Sequence, residues 1–97
     1  MTTLMEPLDI VGRAMDCEQL DDLVPALEFA AASDDFWVLN AGILSIGHAA
    51  RRFKAYPLEL KRKLWSRVHE FPEHAAQLKG TCETAQGDIT HFKAKGV

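Results

Sequence analysis

Cysteine is scarce in this chain, strand-like alternation is missing, and positive charge is almost absent from its first half. Cys17 and Cys82 lie far apart with no CxxC pair and no ladder of even spacings, which argues against a disulfide scaffold or a zinc ribbon and for two reduced thiols. The most apolar stretch, residues 36–50, carries Asn40 and His48 and falls short of the ~20 residues a membrane span requires. It reads as a buried helix. The opening residues, Met1 to Met15, lack a basic segment followed by an apolar one, so secretion is not expected and a cytoplasmic protein is.

What is present is ordinary globular composition, 47% hydrophobic and 26% charged in 97 residues. This places the chain outside the disordered regime, and one core in one domain, residues 1–97, is expected. The charge is divided unevenly. Residues 1–50 hold nine acids against Arg13 alone, whereas residues 51–97 hold ten bases against five acids. The total of −3 therefore conceals a dipolar molecule, suited to steered docking on a charged partner.

Helical spacing recurs between the breakers, so the expectation is an all-α fold, a compact bundle of four to five helices. Pro7 starts a short first helix with Leu8, Val11 and Met15 on one side. Asp16 is placed to cap a second, with Gln19 at the capping-box position and Leu20, Leu23, Val24, Leu27, Ala30 and Ala31 as its stripe. Pro25 either kinks that helix or begins a new one. The third, about residues 34–54, has acids at its start, bases at its end, and Phe36, Leu39, Ile43, Ile46, Ala50 and Phe53 at spacings of three and four. Apolar nearly all round, it should be central. A fourth helix spans residues 57–71, and a fifth runs from Pro72 to a stop at Gly80, beyond which the helical signal decays.

The candidate functional residues fall into two sets. If the second helix is continuous, Phe29 lies about 180° from its apolar stripe, among Glu18, Asp22 and Pro25. An aromatic set among carboxylates has the character of a binding anchor with a charged rim, so Glu18, Asp22, Phe29 and Glu28 are the expected partner-binding residues. The rival set is the basic segment, where Arg51, Arg52, Arg62, Lys63 and Arg67 offer phosphate contacts. Its helices only loosely match a helix-turn-helix. Glu59 and Glu70 interleave with the bases, giving expected pairs Glu59–Lys63 and Arg67–Glu70 on a solvated face.

Catalytic and metal chemistry find little footing. His69 and His74 flank Glu70 and Glu73 but are five apart across Pro72, whereas a zinc-protease helix needs histidines four apart. His48 lies on an apolar helix, where a bond to a carbonyl or an acid is expected, and Ser45 nearby has no acid or oxyanion loop to complete a triad. No metal or cofactor is called for. The expected function is a non-enzymatic binding or adaptor module whose acidic surface meets a basic protein or nucleoprotein complex. An inhibitor of a nucleic-acid-processing machine, filling a cationic groove, fits that chemistry.

Overall fold

The computed structural model describes residues 5–97. It is all-α in architecture: five helices gather around one hydrophobic cluster. They are α1 (Pro7–Asp16), α2 (Val24–Ala31), α3 (Phe36–Phe53), α4 (Leu58–Ser66) and α5 (Ala75–His91). Short 3₁₀ turns precede α2 (Leu20–Leu23) and bridge α4 to α5 (Val68–Glu70 and Pro72–His74).

Helix α3 is the centre, as its pattern requires. Asp35 caps it, its Oδ1 accepting from the backbone N–H of Trp37 at 2.8 Å and of Val38 at 3.4 Å. Lys54 ends it in the left-handed conformation, with φ of 54°. Along the predicted stripe Leu39, Ile43, Ile46 and Ala50 are wholly buried and Phe36 nearly so. Close approach to its neighbours occurs at two glycines. A Cβ on Gly42 would fall 2.5 Å from the Ala30 Cβ of α2, and one on Gly47 would fall 3.1 Å from the Ala85 Cα of α5. Small residues at both positions let α2 and α5 approach α3 closely.

Several expectations are corrected. The side of α1 bearing Leu8 and Met15 faces outward, while Ile10 and Ala14 are buried; packing, not the number of apolar residues, selects the inner face. Asp16 belongs to α1, and Gln19 occupies the N-terminal cap position of the 3₁₀ turn, its N–H donating to Asp22 at 3.3 Å. Pro25 begins a new helix, lying in the first turn of α2, where its missing N–H costs nothing.

The fourth helix stops at Ser66 instead of reaching Phe71. Gly80 does not end α5, which continues through Gly87 to His91. Burial of Leu78, Ala85 and Ile89 outweighs the roughly 1 kcal/mol that each helical glycine costs. One pair of two-residue strands also forms, β1 (Ala55–Tyr56) parallel to β2 (Lys95–Gly96), too short for alternation to reveal. Val97 extends this attachment: its N–H donates to Tyr56 at 2.9 Å, and its carbonyl accepts from Leu58 at 3.0 Å.

Two core substitutions follow. Ile43→Ala should lower stability by about 2 to 5 kcal/mol in urea denaturation. Gly42→Ala should lower it by about 1 to 3 kcal/mol although alanine is the better helix former, because α2 blocks the added methyl. A neutral or stabilising Gly42→Ala would refute this packing of α2 on α3.

Candidate functional site

All nine acids of residues 1–50 are solvent-exposed. Three of them also fix local backbone: Asp9 accepts from the Glu6 N–H at 2.9 Å, Asp22 from Gln19, and Asp35 caps α3. Each is an acid at the start of a helical turn, where the backbone dipole favours negative charge. Part of the acidic surface is thus built from residues that also start helical turns.

Among the expected partner-binding residues, Glu18, Asp22 and Glu28 are exposed and Phe29 is half-buried against the core cluster. The continuous second helix on which the placement of Phe29 rested does not exist. The turn Leu20–Leu23 is 3₁₀, with three residues per turn, so the angular relation between Asp22 and Phe29 is not that of one α-helical wheel. Glu28 faces α4 instead, in an open cleft of about 410 Å³ shared with Ala31, Ala32, Glu59, Leu60 and Lys63. One residue from each candidate set, Glu28 and Lys63, therefore lines the same cleft.

The basic candidates are distributed rather than gathered on one face. Arg52 reaches back to the end of α1, donating to the carbonyl oxygens of Ala14 at 2.9 Å and Cys17 at 2.6 Å. Arg67 does the same for the end of α2, donating to the carbonyls of Ala31 at 3.0 Å and Ser33 at 2.6 Å. Its second terminal nitrogen meets Asp34 at 3.1 Å, and Glu70 accepts from the guanidinium at 3.3 Å. The Arg67 side chain is only 17% exposed. Hydrogen bonding to Glu70 is the largest influence on its pKa and raises it, with Asp34 adding to the effect against the cost of burial.

The remaining bases are more open. Arg62 pairs with Glu59 at 2.8 Å, so the expected Glu59–Lys63 partnership is replaced by the i,i+3 pair. Arg51 lies 3.2 Å from the His48 ring and 4.0 Å from Asp88. The His48 ring thus bonds a guanidinium and not the expected carbonyl or acid, with the Asp88 carboxylate near enough to act on its charge. Burial first and Arg51 second push its pKa below the ordinary histidine range, with Asp88 opposing.

Three exposed apolar side chains and an aromatic stack escaped the sequence reading. Leu8, Met15 and Trp37 are exposed apolar side chains, at 84%, 56% and 58%. His74 stacks on Phe36 with ring centroids 4.0 Å apart, and Trp37 meets the Phe36 ring edge-on at 4.7 Å. Asn40 is satisfied by the Thr81 hydroxyl at 2.6 Å. Both cysteines are free thiols. Among the described residues, no three His, Cys, Asp or Glu side chains gather as a metal site, and no helix is long and apolar enough to cross a membrane. Comparison with protein-family models, curated proteins and solved structures found no match.

Arg67→Lys should destabilise the fold by about 1 to 3 kcal/mol, since an ammonium cannot serve two carbonyls and two carboxylates in the same fork. His48 gives a pH test. Its folded pKa is lowered, so the unfolded chain binds more protons as pH falls through the ordinary histidine range, and stability falls with it. In His48→Gln that acid-side loss should be smaller, as read from denaturation midpoints across the range.

Proposed function

We propose that this chain is a non-enzymatic binding module whose acidic half docks on a basic protein or nucleoprotein complex in the cytoplasm. The observation that carries the reading is the disposition of charge: nine exposed acids in the first half, against a basic half whose Arg52 and Arg67 are turned to the protein's own backbone. A cationic groove built for nucleic acid is the complement of such a surface. Occupying it would make the chain an inhibitor of a nucleic-acid-processing machine. Phe29 is the apolar element of the interface, with Glu18, Asp22 and Glu28 supplying charge and orientation.

The basic segment does not read nucleic acid on this proposal. Arg62 is paired with Glu59, and the nine exposed acids repel phosphates.

Immobilised protein should capture a basic partner from native host lysate. Asp22→Lys should slow its association and flatten the salt dependence without moving the melting temperature. Phe29→Ala should weaken capture by about 2 kcal/mol or more if the ring is an anchor. A captured partner that is acidic, or indifference to both changes, would overturn the proposal. So would micromolar binding to DNA or RNA in a gel shift that falls steeply with salt and is abolished by Arg62→Glu.

A further inference from the structure

Helix α1 has an outer edge, at Leu8 and Met15, that the described residues leave exposed, while Val11 beside it packs in part against the core. Leu8 and Met15 stand exposed, Val11 and Gly12 are half-buried, and all four fall within about 100° of the helical wheel. Gly12 sits in the middle of this ridge. Glycine inside a helix costs roughly 0.5 to 1 kcal/mol relative to alanine. Nothing among the described residues asks for it: Gly12 does not have a positive φ, and a Cβ there would meet none of their atoms within 4 Å. Gly42 and Gly47, by contrast, are each crowded by a neighbouring helix. Space for close approach at Gly12 is space on the outside. Asp9 and Asp16 both lie along one edge of the ridge, about 80 to 100° from Leu8 on the Gly12 side, giving that edge an acidic border.

The opposite chemistry lies between α4 and α5. Trp65, Val68, Ala75 and Cys82 line an open, mostly apolar groove of about 460 Å³, with His69 and Lys79 at its lip. The Lys61 ammonium stands 5.2 Å from the Trp65 ring and adds a second base, while Glu83 is the neighbouring acid. Burial pushes the Cys82 thiol up to about 11, so at neutral pH the thiol adds no charge to the groove. Helices α1 and α5 each pack extensively on α3 without packing substantially on each other, so they occupy different faces of it.

We propose that a second copy of this chain is the occupant of the groove: the α1 ridge of one molecule docks head to tail between α4 and α5 of the next. Asp9 and Asp16 then approach Lys61 and Lys79, and the apolar ridge covers Trp65 and Val68. The interface is heterologous, so each added copy leaves one ridge and one groove free, and growth ends only if a ring closes. A helix of ten residues is about 15 Å long, a small footprint, so association is concentration-dependent and weakens as salt screens the borders. This inference does not depend on the proposed function, which uses the surface around Phe29.

Complementation between two variants of the full chain tests it. Leu8→Glu disables the ridge, and Ser66→Glu combined with Lys79→Glu disables the groove; all three positions are exposed, and circular dichroism melts establish that the variants fold. In sedimentation experiments the wild type should gain mass with concentration and each variant should remain monomeric. An equimolar mixture of the variants should form a one-to-one dimer and stop there. Gly12→Gln supplies a second ridge variant: its Tm should rise, because glutamine is the better helix former, while association is lost. A wild type that stays monomeric over the concentration series overturns the proposal. So does a mixture without heterodimer, which would indicate a symmetric contact, or a Gly12→Gln protein that associates as the wild type does. None of these outcomes bears on capture of a basic partner through Phe29, so the two proposals fail separately.

Discussion

Two arginines hold the corners of this bundle. A helix leaves its last carbonyls without intrahelical donors, and a glycine in the left-handed conformation commonly closes the end. Neither α1 nor α2 has one: Cys17 follows α1 in extended backbone, and Ala32 follows α2 in right-handed backbone. The donors come from elsewhere, Arg52 for the end of α1 and Arg67 for the end of α2. Cationic groups also suit the negative pole of a helix, so dipole and hydrogen bonds act together. Because Arg52 belongs to α3 and Arg67 follows α4, each contact ties a short N-terminal helix to an element far along the chain. The same commitment shapes the outer surface, since these charges answer internal carbonyls while the acids of the first half face water.

Helix α3 then acts as the shared wall. Its glycines at 42 and 47 are the points of nearest approach for α2 and α5, and its last turn supplies the arginines at 51 and 52 that reach toward α5 and α1. The polar groups on its packed faces are answered: the buried Ser45 hydroxyl donates to the Ala41 carbonyl one turn back at 2.7 Å, and the half-buried Asn40 accepts from Thr81 on α5. One helix thus combines a nearly continuous apolar surface with satisfied polar atoms, which is what burial on several sides demands.

The legible part of the fold was the part governed by local rules. The apolar period of α3, the acids at its start and its basic end are written in consecutive residues, and the structure follows them, with Asp35 just outside the helix as its cap. The extent of α5 was hidden because glycine signals a stop locally, whereas packing on α3 through Leu78, Ala85 and Ile89 is a long-range fact. The outward turn of Leu8 and Met15 was hidden for the same reason: a short helix with apolar residues on two sides does not declare which one is inside. At the candidate site, the exposure of Glu18, Asp22 and Glu28 could be read, but the 3₁₀ turn that resets the phase before Phe29 could not. The roles of Arg52 and Arg67 were also unreadable, since a carbonyl more than thirty residues away leaves no trace in a charge pattern.

The short β1–β2 ladder sets a temporal order on assembly. Pairing Ala55 with Lys95 closes a loop of about forty residues, an entropic cost met before the few hydrogen bonds of the ladder can form. Helix formation and the packing of α5 on α3 shorten that search, so the ladder closes late and opens early. Amide protons of Lys95 and Val97 should therefore exchange through partial openings that leave α3 intact, whereas those of Ile43 and Ile46 report the global transition. The segment beyond α5 becomes a latch, and its exchange rate a local gauge of how firmly the last helix is held.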